Sequence, residues 1–485
     1  MAEKIIRYIQ QGKIKELDLE KEQLSPTTTV LNYLRSSPLH KGTKEGCAEG
    51  DCGACTVVLA NRGDNGKLSY TAIDSCLVFL PMLHGKQLIT VEDLTTSETS
   101  GAQLHPVQQS MVDCNGTQCG YCTPGFVMSL FALQKSENQP SQASIEDALT
   151  GNLCRCTGYR SILDAAKLAC TPDHHPDQFE LNESRTLSQL ISLQNNASDL
   201  EINVDDQRYF RPVNLSEALS IKKKHPECIV FSGATDLALR VTKRHERLYD
   251  LLDIGGIDKL KTISKDNQLI RIGAGTSLEE IRNSVRKELP ALCTMLDVFG
   301  SRQIRSLATL GGNIGSASPI GDTLPILFAY NASVELQSES ETRIFPISEF
   351  ITGYRQTAKR ADELITAVII PLPSKEDQVK AYKVSKRKDL DISTVSGGFR
   401  LRLENNVVSS ITLAFGGMAA QTTCAKKAEE FLIGKIWNRE NVMTAAAIIN
   451  HFFSPLSDAR SGAEFRRIVA GNLLIKFWNE TASNA

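Results

Sequence analysis

The sequence predicts a multidomain α+β protein in which two small metal-binding domains precede a larger half built from short strands and glycine-rich turns. Its 485 residues are too many for one hydrophobic core and suggest about three domains. Eight of the thirteen cysteines fall into two groups of four in the N-terminal third. Apolar residues make up 41% of the chain and charged residues 23%, as in ordinary globular domains.

The first group of cysteines has the spacing C-x4-C-x2-C followed by a distant fourth cysteine, which is typical of plant-type ferredoxins with a [2Fe–2S] cluster. Glycines among these cysteines allow positive φ, so the backbone can curl around a cluster and point N–H groups at its sulfides. Alternating residues predict strands over residues 5–9, 56–60 and 68–72, and a helix over 29–34. We therefore predict a plant-ferredoxin-like β-grasp domain over residues 1–92, with a cluster held by Cys47, Cys52, Cys55 and Cys76.

The second group combines a C-x2-C pair with a C-x-C pair, and each pair precedes a predicted helix. Pro124 favours the first turn of a helix over residues 126–134, and residues 159–168 predict a second, amphipathic helix with its apolar residues on one stripe. The partial positive charge of a helix N-terminus stabilises an anionic thiolate cluster. With further helices over residues 106–112 and 144–149, the pattern predicts a four-helix domain over residues 93–172. Its [2Fe–2S] cluster is held by Cys119, Cys122, Cys154 and Cys156.

Disulfides and structural zinc are the alternatives for these cysteines. Residues 1–15 lack the apolar run and cleavage site of a secretion signal, so we expect a cytoplasmic protein, in which close cysteines usually bind metal. Zinc also accepts C-x2-C pairs, but the glycine-rich first group favours iron–sulfur chemistry. The other five cysteines are assigned no function, because free cysteine is commonly a small buried hydrophobe: Cys114, Cys170, Cys228, Cys293 and Cys424.

Charge and hydropathy exclude two classes of partner. A net charge of -2 offers no basic surface for nucleic acid. No stretch approaches the roughly 18 apolar residues that span a membrane.

The polar residues 173–205 predict a linker with one helix near residues 187–193, and its His174-His175 pair has no other metal ligand nearby.

The second half places small-residue loops after short apolar strands. Residues 229–236 are predicted to form a strand and then a loop whose N–H groups can cradle a pyrophosphate. A longer glycine-rich segment runs from Thr309 to Asp322. Neither has the G-x-G-x-x-G spacing of a Rossmann unit, and glycine alone usually marks a tight turn.

Two segments carry a resemblance to a known family. Residues 114–125, CNGTQCGYCTPG, and residues 151–159, GNLCRCTGY, resemble the two signature segments of the molybdenum hydroxylases, the xanthine dehydrogenase and aldehyde oxidase group. The resemblance implies an FAD-binding PCMH-type domain over residues 206–380, related to the vanillyl-alcohol oxidase flavoproteins. It also implies a small α+β domain like the C-terminal domain of CO dehydrogenase flavoproteins over residues 381–485, with turns at Ser396–Gly398 and Phe415–Gly417.

The resemblance further implies the residues that bind FAD. Phe299 would pack on the adenine, while Asp322, Ile365 and Lys383 would supply an acidic, an apolar and a basic contact. Ala234 departs from the family, so its loop must rely more on backbone donors. The implied FAD-binding residues are Val230, Phe231, Ser232, Gly233, Ala234, Thr235, Asp236, Leu237, Phe299, Thr309, Gly312, Asn313, Asp322, Ile365 and Lys383.

The function implied by the resemblance is electron transfer. The sequence lacks the molybdopterin half of single-chain relatives, so we expect the small subunit of a two-chain bacterial xanthine dehydrogenase, with a molybdopterin-binding large subunit as partner in a dimer of heterodimers. Electrons from hypoxanthine or xanthine would pass through the helical-domain cluster, the ferredoxin-like cluster and FAD to NAD+. Gln118 would reach the pterin of the partner's cofactor, and no catalytic residue is expected in this chain beyond the FAD site.

Two alternatives stay open at this stage. The chain could serve a molybdenum hydroxylase that oxidises aldehydes or another N-heterocycle, since substrate-contacting residues lie in the partner. It could also be a stand-alone NADH-oxidising flavoprotein. NAD+ and oxygen are both possible final acceptors, and we expect Lys386–Asp391 to govern that choice.

Overall fold

The computed structural model describes residues 3–63, 65–98, 101–171, 176–195 and 198–482. His174 and His175 of the predicted linker lie outside the described residues. Contacts divide the chain into two compact units. The first comprises Met1–Ile221, Glu227–Gly256 and Ser301–Ala308, and the second comprises Lys222–Pro226, Ile257–Gly300 and Thr309–Ala485.

The strands, numbered in chain order, are β1 Ile6–Gln10, β2 Lys13–Leu17, β3 Thr56–Arg62, β4 Leu68–Asp74, β5 Gln87–Ile89, β6 Thr96–Glu98, β7 Gly101–Gln103, β8 Leu200–Val204, β9 Gln207–Arg211, β10 Ile229–Phe231, β11 Asp250–Asp253, β12 Ile263–Lys265, β13 Leu269–Gly273, β14 Ser333–Gln337, β15 Thr342–Pro346, β16 Ile351–Gly353, β17 Gln356–Thr357, β18 Leu364–Pro371, β19 Asp377–Val384, β20 Val395–Glu404, β21 Val407–Gly416 and β22 Thr423–Cys424.

The α-helices are α1 Val30–Ser36, α2 Pro106–Asp113, α3 Thr123–Ser136, α4 Gln142–Leu149, α5 Arg160–Ala169, α6 Gln178–Leu181, α7 Glu183–Asn195, α8 Leu215–Lys224, α9 Ala238–Thr242, α10 Leu278–Ser284, α11 Pro290–Asp297, α12 Arg302–Leu307, α13 Leu310–Gly315, α14 Thr323–Ala329, α15 Ile347–Phe350, α16 Lys426–Leu432, α17 Arg439–Phe452 and α18 Ala463–Thr481. Short 3-10 turns occupy Ser75–Leu77, Leu80–Leu83, Val91–Leu94 and Asp258–Lys261.

The first unit opens with a five-stranded mixed sheet in the order β2-β1-β5-β3-β4, crossed by helix α1. β1 pairs parallel with β5, and the other neighbours are antiparallel. The Thr29 hydroxyl caps α1 by accepting the N–H of Asn32, and Val30, Leu31 and Leu34 face the core. The predicted ferredoxin-like arrangement of strands and helix is confirmed.

Helices α2 to α5 follow and share one apolar core. α3 is central, because Phe126, Leu130 and Phe131 are fully buried, and each contributes roughly 1.5–3 kcal/mol of transfer free energy. All four helices predicted for this domain are present. A helix, α7, also forms where one was predicted in the linker, and β8 then pairs with β9 in the sheet β10-β11-β9-β8.

The second unit contains a five-stranded sheet, β12-β13-β18-β14-β15, and a four-stranded antiparallel sheet, β19-β20-β21-β22, that packs with α16, α17 and α18. The turn predicted at Ser396–Gly398 is wrong, because these residues lie inside β20. The reason is a close approach: a Cβ at Gly398 would overlap the carbonyl group of Pro325 in α14. At Phe415–Gly417 the strand does end, and Gly417 takes φ +79°.

The predicted fold class, a multidomain α+β protein with [2Fe–2S], FAD-binding and C-terminal flavoprotein domains, is confirmed. No helix in the described part of the chain has the length and apolar character needed to cross a bilayer. The exact domain bounds stay a prediction. In particular, residues 227–256 and 301–308 of the predicted FAD domain group with the cluster domains.

Candidate iron–sulfur and flavin sites

The first pair of cysteines lies on the glycine-rich loop before β3. The N–H groups of Glu49 and Asp51 donate to Cys47 Sγ at 3.4 and 3.3 Å, and the N–H of Cys47 donates to Cys52 Sγ at 3.3 Å. The hydrogen bond between the two side chains lowers the pKa of Cys47 to about 5. Backbone N–H groups aimed at sulfur are the environment that an anionic thiolate ligand requires.

The second pair, Cys55 and Cys76, is buried between β3 and the turn after β4. A hydrogen bond between the two side chains, together with burial, raises the pKa of Cys55. Asp74 lies beside them, with its Oδ1 3.8 Å from Cys55 Sγ, and its Oδ2 has no hydrogen-bond partner among the described residues. Sequence reasoning missed Asp74, since only its position two residues before Cys76 could have pointed to it.

The second group of cysteines lies nearer the surface. Cys119 and Cys156 are exposed and share a side-chain hydrogen bond, whereas Cys122 and Cys154 are half-buried. Burial, followed by the hydrogen bond with Cys154, raises the pKa of Cys122 to about 12. Cys122 is the N-cap of α3, as the predicted helix start requires.

A sharp turn holds the last two cysteines in place. Gly158 and Tyr159 both take positive φ, at +65° and +70°. Tyr159 folds back so that its hydroxyl accepts the N–H of Cys154 at 3.0 Å, and Thr157 Oγ1 lies 3.2 Å from Cys154 Sγ. A non-glycine residue at positive φ is uncommon and marks a backbone that its surroundings determine strongly.

The cysteines of each group approach one another in pairs: Cys47 with Cys52, Cys55 with Cys76, Cys119 with Cys156, and Cys122 with Cys154. Within the described residues, no three His, Cys, Asp or Glu side chains converge on a single metal-ion position. Structural zinc needs four ligands around one ion, whereas a [2Fe–2S] cluster distributes four cysteines over two irons. All thirteen cysteines are free, so the residues present fit two binuclear clusters.

The two cysteine groups meet directly. The N–H of Leu153 donates to the carbonyl of Cys52 at 3.0 Å. Glycine permits this approach, because a Cβ at Gly125, at the start of α3, would overlap the carbonyl oxygen of Gly53. Two loops that are 99 residues apart, measured from Gly53 to Asn152, therefore form one junction.

The first predicted flavin segment, Val230 to Leu237, leaves β10 and turns into α9. Ala234 takes φ +57°, which reverses the chain at a cost of roughly 1–2 kcal/mol. The N–H groups of Ser232, Gly233, Ala234 and Thr235 donate to no backbone carbonyl of the described chain. A run of such donors fits a pyrophosphate cradle.

This flavin segment packs on the first cysteine group. Phe231, Ala234 and Leu237 belong to the same hydrophobic core as Cys55 and Cys76. Beyond the segment, at the C-terminus of α9, Lys243 Nζ donates to the carbonyl of Cys47 at 3.0 Å. The first unit thus brings a candidate phosphate cradle and a candidate cluster site into one core.

The second unit holds the other predicted flavin residues. Thr309 was predicted in a loop, but Leu310–Gly315 is a helix, because the Thr309 hydroxyl caps it by accepting the N–H of Gly312 at 3.1 Å. Gly312 is exposed, and a Cβ there would meet only Thr309 Oγ1. Asn313 Oδ1 accepts the Thr323 hydroxyl at 2.6 Å. At the start of α13, the exposed backbone of Gly312 therefore lies next to the side-chain amide of Asn313, which Thr323 holds in place. A cofactor could contact this backbone closely.

Asp322 and Lys383 form a buried ion pair at 3.0 Å. The Ser393 hydroxyl, which sequence reasoning missed, donates to Asp322 Oδ1 at 2.5 Å, and Lys383 Nζ donates to the carbonyl of Val298 at 2.9 Å. Ile365 is buried beside Gly315. Phe299, next to Val298, is half-buried, and Gln118 lies exposed next to Cys119 in the first unit.

Family profiles match most of the chain. The profile described as "[2Fe-2S] binding domain" matches residues 90–167, and the one described as "FAD binding domain in molybdopterin dehydrogenase" matches residues 201–373. A third, "CO dehydrogenase flavoprotein C-terminal domain", matches residues 380–481. The three matches follow one another along the chain without overlap.

Curated relatives extend this similarity. Xanthine dehydrogenase of Emericella nidulans is 33% identical over an alignment that covers 95% of this chain and 38% of the relative. Human aldehyde oxidase is 30% identical over 99% of this chain and 40% of the relative. The chain thus spans about two-fifths of the length of these relatives.

Solved structures agree on the fold of the flavin half. Carbon monoxide dehydrogenase from Hydrogenophaga pseudoflava matches 55% of this chain and 94% of its own chain, with a TM-score of 0.53 and 24% identity. Quinoline 2-oxidoreductase from Pseudomonas putida 86 matches 57% and 97%, with a TM-score of 0.53 and 22% identity. With the profile matches and the curated relatives, these likenesses place the chain in the molybdenum hydroxylase family, of which it carries the [2Fe–2S], FAD-binding and C-terminal flavoprotein domains.

Proposed function

We propose that this chain is the electron-transfer subunit of a cytoplasmic xanthine dehydrogenase. It would take electrons from a molybdenum centre on a molybdopterin-binding large subunit and pass them through two [2Fe–2S] clusters and FAD to NAD+. The coarser statement, that the chain is the iron–sulfur and flavin portion of a molybdenum hydroxylase, follows from its family. The substrate, the acceptor and the partner are the proposed parts.

The observation that carries the proposal is a graded path from the surface to the core of the first unit. Cys119 and Cys156 are exposed, Cys122 and Cys154 are half-buried, and Cys55 and Cys76 are buried against the first flavin segment. The hydrogen bond from Leu153 to Cys52 joins the two groups between these ends. An electron relay needs this order, with one end open to a partner and the other closed against the flavin.

Each part of the path has its own task. When bound, the clusters supply one-electron carriers, and the flavin supplies a carrier for two electrons and a hydride. The N–H groups of Glu49 and Asp51 stabilise anionic sulfur at Cys47. The apolar core around Cys55 and Cys76 excludes water, while the N–H groups after β10 would bind the FAD pyrophosphate.

The exposed end has the character of a docking surface. Tyr121 is 49% exposed, Tyr159 39% and Leu153 37%, and all three lie within three residues of a cysteine of the second group. Apolar side chains clustered around an exposed redox site favour a partner that covers them. We propose that the large subunit binds here and that Gln118 contacts the pterin of its cofactor, in a dimer of heterodimers.

Xanthine as substrate is supported by the relatives named xanthine dehydrogenase, of which the Emericella nidulans protein aligns with 95% of this chain. The aldehyde oxidase likeness over 99% of the chain supports a second candidate, oxidation of aldehydes.

For the acceptor, the segment Lys386–Asp391 is stiffened by an ion pair between Arg387 and Asp391 at 2.6 Å. We propose that this segment governs the choice between NAD+ and oxygen.

The test is co-purification with the large subunit, followed by assays against xanthine, hypoxanthine and simple aldehydes. We expect purine-dependent reduction of NAD+ and little turnover of aldehydes. Turnover of aldehydes alone would favour the second candidate. NADH oxidation that needs no second chain, together with failure to bind any large subunit, would contradict both and leave a stand-alone flavoprotein.

A further inference from the structure

A buried polar network lies where the two cysteine groups meet. Gln303 of α12 donates through Nε2 to Ser129 Oγ at 3.0 Å and to Asn152 Oδ1 at 3.1 Å. The Ser129 hydroxyl donates to the same Asn152 oxygen at 2.6 Å. Asn152 Nδ2 in turn donates to the carbonyl of Gly53 at 3.0 Å and to Thr56 Oγ1 at 3.2 Å. All five residues belong to the first unit.

The network is fully inside the protein. Gln303 is 0% exposed, and Asn152 is 2% exposed. Polar groups buried in this way are costly unless hydrogen-bonded. The hydrogen bonds of Asn152 and of Gln303 Nε2 fix one geometry more sharply than apolar contacts do, while Gln303 Oε1 has no hydrogen-bond partner among the described residues. The side-chain amide of Asn152 uses both its donor and its acceptor atoms, so no apolar residue of similar size could replace its contacts.

The network touches both cluster-binding segments at their closest point. Gly53 follows Cys52, and Asn152 precedes Leu153 and Cys154. Between these neighbours runs the hydrogen bond from the Leu153 N–H to the Cys52 carbonyl. The connection from one group to the other therefore passes through main-chain atoms of Cys52, Leu153 and Cys154 and one hydrogen bond.

We propose that Asn152 and Gln303 are positioning residues for electron transfer between the two clusters. They hold the Cys52 and Leu153 main chains at hydrogen-bonding distance, so that this bond serves as the electronic link between the clusters. The inference rests on the proposed function, since it needs both clusters in place. The step is a transfer of one electron, in which the second site is oxidised and the first is reduced, while no proton moves and no bond forms or breaks.

The helix that carries Gln303 adds a second connection. A Cβ at Gly151 would overlap Gln303 Oε1, and a Cβ at Gly233 in the first flavin segment would overlap the carbonyl oxygen of Leu307. A Cβ at Gly50, in the first cysteine loop, would lie 2.8 Å from Ile304 Cδ1. α12 is thus packed against both cysteine groups and the flavin segment at once, and Gln303 is its polar contact with Asn152.

The variants for the test are Asn152→Asp and Gln303→Glu. Each keeps the shape of the side chain but replaces the N–H₂ donor by a carboxylate oxygen, which cannot donate to the oxygen atoms that the amide contacts. Gln303→Met removes the donors without adding charge. Arg302→Gln is the matched control, because Arg302 lies on the same helix and pairs with Glu137 outside the network. All are made in the full chain with its clusters and FAD.

Two measurements distinguish positioning from a merely structural role. The magnetic interaction between the two reduced clusters, read from paramagnetic resonance, depends on their separation and orientation. The rate at which the flavin is reduced after rapid reduction of the second cluster reports transfer along the path. We expect Asn152→Asp and Gln303→Met to retain wild-type iron and FAD but to show an altered interaction and a severalfold slower transfer. Arg302→Gln should match the wild type in both.

If Gln303→Met shows the same magnetic interaction between clusters and the same rate of electron transfer as the wild type, the proposal is overturned. This holds even if Asn152→Asp fails to fold. A change of equal size in Arg302→Gln would also overturn it, because any loosening of α12 would then suffice. Failure of the proposed function looks different. In that case the wild-type chain shows both cluster signals and the variants behave as expected here, but assays with the large subunit give no xanthine-dependent reduction of NAD+.

Discussion

The eight predicted cluster cysteines have the same chemistry but very different surroundings. Cys55 and Cys76 are sealed in a core, whereas Cys119 and Cys156 face solvent. Reduction potentials of [2Fe–2S] centres depend on burial and on hydrogen bonds to sulfur. The two sites should therefore be distinguishable by spectroscopy, although each is predicted to have four cysteine ligands.

The first prediction uses that difference. Cys154→Ser should remove one of two paramagnetic signals of the reduced chain and leave the other, because the two groups of ligands lie on separate loops. Iron should fall from about four to about two per chain, as expected for two [2Fe–2S] clusters. The control is Cys114→Ser, since Cys114 belongs to neither group. Loss of both signals, or zinc in either site, would contradict the assignment.

The second prediction concerns the flavin. Asn313→Ala should lower FAD occupancy and leave both clusters intact, because Asn313 belongs to the second unit and the clusters to the first. Loss of a hydrogen bond to a charged ligand costs about 1.5–3 kcal/mol, or roughly tenfold or more in affinity. Released FAD and bound iron are measured on the same sample. Asn203→Ala, at an exposed position of β8, is the control, and equal FAD content in both variants would show that the site is misplaced.

At the scale of elements, one ion cluster ties α6 to the helical domain. Asp177 is the N-cap of α6, and its Oδ2 accepts hydrogen bonds from His105 Nε2 at 2.7 Å and from Lys135 Nζ at 2.6 Å. Burial alone would raise the pKa of Asp177, but these two hydrogen bonds outweigh it and hold that pKa below its usual value. Folding therefore favours the ionised carboxylate.

The pH dependence follows from the direction of that shift. Since the folded-state pKa lies below the unfolded value of about 3.9, the stabilisation is complete above pH 4 and is lost as the pH falls through the folded-state pKa. Asp177→Asn should lower the free energy of unfolding at pH 7 by about 3–5 kcal/mol, as expected when one partner of a buried ion pair is removed. The difference from wild type should shrink in urea titrations below pH 4. Asp164→Asn, on the exposed face of α5, should show neither effect.

Most elements of the cluster domains could be predicted because their signals are local. A proline after a cysteine pair, a capping threonine and a short apolar stripe specify α3, α1 and α5 within a few residues each. The strand conformation of the glycine pair in β20 could not be predicted from local sequence signals. Its glycines look like a turn, but Gly398 is required by the carbonyl group of Pro325, more than seventy residues away in the chain.

The same limit applies to the site. The cluster cysteines were predicted from their spacing and from the glycines and helix starts around them, and the FAD-binding residues came from family resemblance. Asn152 and Gln303 carry no sequence signal, because their partners are separated from them by 23 to 174 residues. Only the folded chain brings such side chains together.

At the scale of the whole molecule, the chain is proposed to be a relay that needs a partner for one half-reaction only. Expressed alone, it should pass electrons from NADH to an artificial dye, since FAD and both clusters are present, and should not oxidise xanthine. Adding the large subunit should restore xanthine-dependent reduction of NAD+. Cys119→Ser should block that reaction and spare the NADH–dye reaction, because the second cluster lies on the partner's side of the flavin.

Steady-state rates of both reactions, measured on the same preparations, check this prediction. The matched control is Cys170→Ser, at a buried cysteine of neither group, which should support both reactions. Xanthine turnover by the isolated chain would contradict the relay, and so would loss of the dye reaction in Cys119→Ser with FAD still bound.

The position of α12 in the chain has a consequence for synthesis. Gln303 adds the last hydrogen bond to Asn152 in the first unit, yet 151 residues separate the two. At about 5–20 residues per second on the ribosome, this interval lasts roughly eight to thirty seconds. During that time both cysteine loops are already made but not yet closed by their last helix. Nascent chains would thus offer a limited period in which iron can be loaded before folding seals the inner site.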